Sequence, residues 1–475
     1  MIIPQKFERD RGRKLTIGDW VALLPCLTDI YGFGRLKMVN VKSFAAILIT
    51  LSGSLAFAQQ TAPPTAGNGG PFSGPLTLAS EFLENNFVNL YAFGSGLWDS
   101  YAPVVQNGQT VNNGGFGVQV GGGVNAWHQW RNSSLSLSYR GDYNNYSSGF
   151  FSSGTNQNLS LGYNRRLSRR WYIGFYEAAG IWLYGGTVYG ITPYGTPSAQ
   201  LNPFSPETRW LSSSVSMTYQ QSRRLSYSVG GNFFLSRYNY TGAIGVTGGS
   251  GSGSFNYRLT ARTNVGGSYV YSDFRYQQNA GSSQVHSLFM TIGHVFSHQW
   301  SASFSAGLSL THSVGTITIP VTFISNGLLI PGYEIGSYNQ HSHTPYFAGL
   351  VSHSIHRSNL YVSAGQSVAP GNGFYLASRN QFISSGFSRS LDRRSNVGFA
   401  LNYNRNTSIS NTISGSYSTL VFTTGYSRLV ARHISGFLHY DFVHYGNIAQ
   451  YSGVSDNRIT FGVSIASKNI PLTLY

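Results

Sequence analysis

The stretch that decides the fold runs from Phe387 to Tyr403 and reads FSRSLDRRSNVGFALNY. In its second half, apolar residues alternate with small or polar ones: Val397, Phe399, Leu401 and Tyr403 against Gly398, Ala400 and Asn402. Successive side chains of a β-strand point to opposite faces, so this half predicts a strand with one apolar and one polar face. Its first half, with Ser, Asp and three Arg around a single Leu, predicts a tight turn.

The turn motif recurs along the chain. Close copies occupy Tyr163–Arg170 and Tyr426–His433, and looser copies occupy Trp127–Asn132, Tyr219–Arg224, Tyr257–Arg262, His294–Trp300 and Ser352–Asn359. Strands joined alternately by a tight turn and a longer connection are typical of an up-and-down β-array. With the flanking strands Phe87–Val105 and Arg458–Ala466, the eight turns predict 18 strands. Phe87–Val105 is the least regular of them, and because bacterial barrels have even strand numbers, the runner-up count is 16.

The composition agrees with an all-β chain. Charged residues make up 10% of the 475 residues, against about 25% in an ordinary soluble domain. Aromatic residues reach 15%, too many for a disordered chain. The single Cys excludes a disulfide framework and any Cys-based zinc site. The net charge of +16 comes largely from Arg residues in separate turns, so no nucleic-acid partner is expected.

The N-terminal part has a different organisation. Residues 38–58 combine the basic Lys42, a short apolar run and a final Ala56-Phe57-Ala58, the layout of a cleavable secretory signal peptide. Residues 1–37 do not belong to such a signal, and we expect translation to start at Met38. Residues 59–86, rich in Pro and Gly, predict a flexible linker on the periplasmic side. The barrel is predicted to occupy 87–475.

The apolar face of the strands must contact an apolar environment, and the strand length indicates which one. Strands of about ten residues are long enough to cross a bilayer at a tilt. Aromatic residues immediately before the turns, such as Tyr163 and Phe387, match the interfacial girdles of membrane barrels. On these features the region 87–475 resembles a Gram-negative outer-membrane β-barrel of the porin-like kind. The resemblance implies a transmembrane antiparallel barrel that contacts outer-membrane lipid and has a polar lumen.

The function expected from this pattern is a passive outer-membrane channel for small hydrophilic solutes, with a weak preference for anions because Arg predominates. The alternative is a non-conducting barrel that presents surface loops, as an adhesin or assembly component. A barrel enzyme is the third alternative, and we expect no enzymatic activity because acids are scarce. No cofactor is expected, and a homo-oligomer is left open.

Five charged or titratable residues lie on polar strand faces and are candidates to line the pore: Arg140, Asp142, His439, Asp441 and Arg458. Arg140 and Asp142 are two residues apart, a spacing that allows an ion pair inside the lumen. His439 and Asp441 share a face in the same way. Their alternative interpretation is the His–Asp unit of an outer-membrane hydrolase.

Two long segments, 181–209 and 313–345, are predicted to be loops, and one or both of them to fold into the lumen and narrow it. The candidate constriction residues are Tyr189 and Tyr194 in the first, and Glu334, His341 and His343 in the second. His and Glu are metal ligands, yet two His in a loop are far from a metal-binding signature, and no metal is expected.

Overall fold

A computed structural model describes residues 86–100, 103–106, 109–112, 114–147, 153–183, 207–239, 244–278, 280–325, 328–355, 357–371, 375–409, 415–446, 454–468 and 470–471. The predicted signal peptide, the segment before it and nearly all of the linker lie outside these residues. Among the described residues, no helix combines the length and the apolar character needed to cross a membrane.

The described chain is built from β-strands. In chain order they are β1 (Phe87–Asp99), β2 (Pro103–Gln106), β3 (Gln109–Asn112), β4 (Gly115–Gln129), β5 (Ser133–Tyr146), β6 (Gly154–Arg166), β7 (Trp171–Leu183), β8 (Glu207–Gln220), β9 (Leu225–Tyr238), β10 (Val246–Arg258), β11 (Thr263–Tyr276), β12 (Gly281–Val295), β13 (Trp300–Ser325), β14 (Leu328–Ile355), β15 (Ser358–Gly371), β16 (Tyr375–Ser390), β17 (Ser395–Ser408), β18 (Ser416–Ala431), β19 (Ile434–Tyr445), β20 (Val454–Ala466) and β21 (Ile470–Pro471).

Eighteen of these strands, β1 and β4 to β20, form one closed antiparallel barrel. Each pairs with its neighbours in chain order, and β1 closes the sheet by pairing with both β4 and β20. The predicted count of 18 is confirmed. The first strand ends at Asp99, earlier than predicted, because Pro103–Gln106 forms a separate hairpin with Gln109–Asn112. Behind β20, Ile470 and Pro471 pair with Val88 and Phe87, so two residues of the tail extend the closure.

The alternation of side chains separates an outer from an inner face. On β12, Met290 is 75% exposed, whereas its neighbour Phe289 is 4% exposed. Side chains on the buried face meet across strands that are not paired. The rings of Phe234 on β9 and Phe274 on β11 lie 5.7 Å apart although β10 separates the two strands. The buried face is therefore the inside of the barrel, and the large exposed apolar side chains cover the outside.

An apolar cluster lies inside the barrel and was not predicted from the alternation. It contains Phe234, Val246, Phe274, Tyr276, Val285 and Leu376. Leu376 belongs to β16, which three strands separate from the β12 residue Val285. The sequence predicted a polar lumen, but here apolar side chains from well-separated parts of the wall pack together and exclude water.

Tight turns join the strand pairs at the eight predicted positions, and the motif has a structural reason. In five turns a side-chain oxygen at the same position accepts a backbone N–H from two residues further on. Ser168, Ser222, Thr260 and Ser297 do this with a hydroxyl oxygen, and Asp392 does it with a carboxylate oxygen. This local side-chain-to-backbone bond fixes the turn, so a small oxygen-bearing residue recurs there.

Asp392 gives its turn a pH dependence that the hydroxyl turns lack. The backbone N–H of Arg394 donates to Asp392 Oδ1 at 2.6 Å, and this bond holds the pKa of the carboxyl below its ordinary value. A lowered folded-state pKa contributes stability above the ordinary Asp pKa, and this contribution is lost as the pH falls through the folded value. We expect Asp392→Ser, which copies the other turns, to remove this acid-dependent loss, measured as the pH dependence of the urea midpoint. An unchanged pH dependence would contradict the assignment.

The prediction of a loop at 313–345 is wrong. β13 and β14 pair with each other up to Ser325 and Leu328, so this segment is a long β-hairpin. β12 accompanies β13 only to Gly315, and β15 accompanies β14 only from Phe347 onward. Beyond these points the hairpin is a two-stranded ribbon whose outer edges pair with no other described strand. Pro is compatible with such edges, which explains why Pro320 and Pro331 do not interrupt the strands.

Candidate inner charged ring

The seam that closes the barrel contains a buried ion pair. Arg458 Nε and Nη2 donate to Asp99 Oδ2 at 2.9 and 2.6 Å. Asp99 is 0% exposed and Arg458 is 8% exposed. The two residues are opposite each other in the β1–β20 register although 359 residues separate them in the chain. A guanidinium that donates two bonds to one carboxylate is the strong form of this interaction.

Two further carboxylates surround Arg458. Asp456 lies two residues away on the same strand face, with its Oδ2 3.8 Å from Arg458 Nη2. Asp441 on β19 is opposite Arg458 in register and interacts electrostatically with it and with Asp99. The Oδ2 atom of Asp441 is buried and has no hydrogen-bond partner among the described residues. One guanidinium is thus shared by three acids.

A second polar group lies on β4, β5 and β6. Asp142 accepts hydrogen bonds from Gln119 Nε2 and Asn156 Nδ2, both at 2.8 Å, and from Asn144 Nδ2 at 3.3 Å. Arg140 Nε is 3.4 Å from Asp142 Oδ1, and its guanidinium lies 4.6 Å from the centre of the Phe93 ring. Buried carboxylates need such donors because an unpaired buried charge is costly.

The two groups form one continuous band along β19, β20, β1, β4, β5 and β6, which we name the inner charged ring. Its charged members are Asp99, Asp142, Asp441, Asp456, Arg140 and Arg458, and His439 belongs to it as a titratable member. Arg140 acts electrostatically on His439, which connects the ends of the band. The ring holds four carboxylates and two guanidinium groups.

Glycines of β4 make room for the large side chains of the ring. A Cβ atom on Gly121 would lie 2.7 Å from both Phe93 Cζ and Asp142 Cβ, and 2.6 Å from the Gly141 carbonyl oxygen. Real Cβ atoms do not approach other atoms this closely, so Phe93 and Asp142 lie directly over bare backbone. The sequence GGG at 121–123, which breaks the alternation, is explained by this close approach.

All five residues expected to line the pore point inward. Arg140, Asp142, His439, Asp441 and Arg458 belong to the ring, and each is buried or half-buried instead of being exposed to an open lumen. His439 and Asp441 share a face of β19. Asp441 interacts electrostatically with Arg458 and Asp99, and His439 interacts electrostatically with Arg140.

Sequence reasoning missed Asp99, Asp456 and the amide side chains around Asp142. The spacing Asp456-x-Arg458 is the same two-residue signal that singled out Arg140 and Asp142, so Asp456 was within reach of the sequence. Asp99 could not be predicted in this way, because its partner Arg458 lies at the other end of the chain and only barrel closure brings the two together.

Of the five residues expected at the constriction, Glu334, His341 and His343 lie on β14. His341 and His343 lie on the outer side of β14, where the His341 ring stacks on His312 at 4.4 Å. Glu334 is part of the β13–β14 ribbon, and Tyr189 and Tyr194 lie outside the described residues. Within the described ranges, no group of three or more His, Cys, Asp or Glu side chains is placed to hold a metal ion.

The comparisons with known proteins agree with the fold and go no further. No protein-family model matches the chain, and no curated protein matches it. The solved structure of Pseudomonas aeruginosa OccK9 (OpdG) is similar, with a TM-score of 0.39 and 11% identity over 81% of this chain and 100% of that one. A BenF-like porin from Pseudomonas fluorescens Pf-5 has a TM-score of 0.39 and 10% identity over 81% and 100%. At these TM-scores and identities the similarity gives no information on solute or mechanism.

Proposed function

We propose that this chain is an outer-membrane channel that passes small hydrophilic solutes by passive diffusion and is exported through the signal peptide at 38–58. The inner charged ring carries the proposal. Charged side chains on an inner wall are costly in a barrel that is only a scaffold, whereas rings of charged side chains are the usual selectivity devices of channels.

The outer face supports the membrane location. On β20, Ile459, Phe461, Val463 and Ile465 are between 38% and 60% exposed. Such a large apolar surface is unfavourable in water and favourable in lipid. At the turn end of the barrel, Trp171 and Tyr219 pack with ring centres 4.6 Å apart on adjacent strands, as expected for an interfacial aromatic girdle.

The composition of the ring suits cations better than anions. Its four carboxyl groups outnumber its two guanidinium groups, and both Arg side chains are already bonded to Asp. The weak anion preference expected from the Arg content rested on residues that lie mostly in the turns. The ring therefore favours the opposite selectivity, because ions meet the charge of the narrow inner wall and not the charge of the rim.

Bilayer conductance under a KCl gradient tests the function and its selectivity together. We expect discrete channels whose reversal potential has the sign of cation preference. Asp441→Asn, which removes the carboxylate whose Oδ2 lacks a partner, is expected to lower the cation-to-anion permeability ratio. Asp273→Asn is the matched control, since Asp273 is on the outer face and paired with Arg275. Anion preference in the wild type would contradict the assigned role of the ring.

A non-conducting barrel that presents surface segments is the second candidate function, and one observation favours it. The inner apolar cluster around Leu376 and the low exposure of the ring are features that a filled interior would have. Folded protein that inserts into bilayers and yields no current at any voltage would establish this alternative. The expected absence of enzymatic activity remains a prediction in either case.

A further inference from the structure

Two arginines on the outer face lie near the strand ends that the longer connections join. Arg379 on β16 and Arg405 on β17 are both exposed, and neither forms an ion pair or a hydrogen bond with a described residue. Elsewhere on the outer face, Arg209 is paired with Glu207 and Arg275 with Asp273. Asp392 is the only acid in the sequence from 358 to 431, and it lies in the turn at the opposite end of these strands.

The register places the two guanidinium groups side by side. Arg379 is opposite Thr407, and Arg405 is two residues from Thr407 on the same face. Such diagonal neighbours are about 7–8 Å apart, within reach of long side chains. Two Arg side chains at this spacing can donate to different oxygens of one phosphate group, the geometry that guanidinium groups favour.

The height of the pair on the barrel indicates what it faces. On the outer face of β17, Phe399, Leu401 and Tyr403 form an apolar run that ends at Arg405. On β18, the outward residue opposite Arg405 is Ser418, and the next outward residues toward the turn end are the apolar Leu420 and Phe422. The apolar surface thus stops at one level on neighbouring strands, and the arginines lie just beyond it, on the side of the longer connections. In bacterial barrels the end with the longer connections faces the cell exterior.

We infer that Arg379 and Arg405 bind the phosphate of an anionic lipid headgroup in the outer leaflet. The inference rests on the membrane location proposed above. Charge complementarity identifies the occupant: two unpaired positive groups without a neighbouring acid, at the boundary where lipid headgroups lie. A protein partner would need an acidic surface at the level of the membrane, where phosphate is the abundant anion.

The test is lipid binding to the folded full-length barrel in neutral detergent, measured by native mass spectrometry with phosphatidic acid as the probe. We expect the wild type to retain phosphatidic acid in preference to phosphatidylcholine. The double variant Arg379→Gln/Arg405→Gln is expected to bind it at least about ten-fold more weakly, since charge-assisted hydrogen bonds are lost. Both side chains are exposed, so the variant is expected to fold, which the heat-dependent gel shift of the barrel verifies.

Arg275→Gln is the matched control because Arg275 is equally outward but ion-paired. Equal weakening by Arg275→Gln, or no preference for phosphatidic acid in the wild type, would overturn the inference. Complete displacement of the lipid by millimolar inorganic phosphate would also overturn the inference. Conductance is measured on the same preparations. Lost lipid selectivity with normal channels refutes only the lipid site, and retained lipid selectivity without channels refutes only the channel.

Discussion

Replacing Arg458 with Gln is expected to destabilise the folded barrel by about 3–5 kcal/mol, the usual effect of removing one partner from a buried ion pair. The substitution leaves Asp99, Asp441 and Asp456 close together without a positive charge, and Asp99 is completely buried. The measurement is the free energy of unfolding in urea, followed by tryptophan fluorescence in detergent micelles or lipid vesicles.

Two variants make this expectation specific. Arg275→Gln breaks an ion pair on the outer face, in which the Arg275 side chain is 79% exposed, and should change the free energy of unfolding by at most about 1 kcal/mol. The double variant Asp99→Asn/Arg458→Gln removes both charges and should recover part of the loss. If Arg458→Gln and Arg275→Gln proved equivalent, the ring would have no structural role at the seam.

Gly121→Ala is expected to cost about 1–3 kcal/mol, or to prevent folding, because the added methyl group has no space. Two of the atoms it would meet are the Gly141 carbonyl oxygen and the Asp142 Cβ, which cannot move without shifting β5. The same unfolding measurement applies. A displaced Asp142 would also lose hydrogen bonds to Gln119 and Asn156, so altered ion selectivity should accompany the lost stability.

Gly94→Ala is the control for this second substitution. Gly94 lies in β1, directly opposite Val120 of the neighbouring strand, and a Cβ atom there would have no neighbour within 4 Å. Its replacement should be neutral or slightly stabilising, since Ala restricts the unfolded chain more than Gly does. Equal losses from the two variants would show that strand propensity, and not the close approach of Phe93 and Asp142, determines the effect.

The wall of the barrel was predictable because its determinants are local. Alternation has a period of two residues, and the turns are fixed by bonds such as that from Arg170 N to Ser168 Oγ. Strand count, turn positions and the inward direction of Arg140 or Asp441 follow from such patterns. The β13–β14 hairpin was not predicted because Pro320 and Pro331 indicate a loop in any strand that pairs on both sides. In the structure these residues lie where the hairpin extends beyond β12 and β15, and Pro is tolerated at such edges.

The interior was only partly predictable because its contacts are not local. Asp99 bonds to Arg458, and Leu376 joins the same cluster as Val285, only when closure brings distant strands together. Alternation identifies the residues that point inward but not what they meet there. The charged groups illustrate the difference: counting Arg along the sequence favoured anions, whereas the groups that converge inside are four carboxyl groups and two guanidinium groups.

The pairing of β1 with β20 has a consequence for how the protein is made. The ion pair between Asp99 and Arg458 joins residues 359 positions apart, so the seam forms only after nearly the whole chain is available. Contacts of such large sequence separation slow folding. Until the seam forms, the sheet has two open edges that can pair with other chains and aggregate. We therefore expect nascent chains to depend on protection in transit, and truncations before Val454 to accumulate as aggregates.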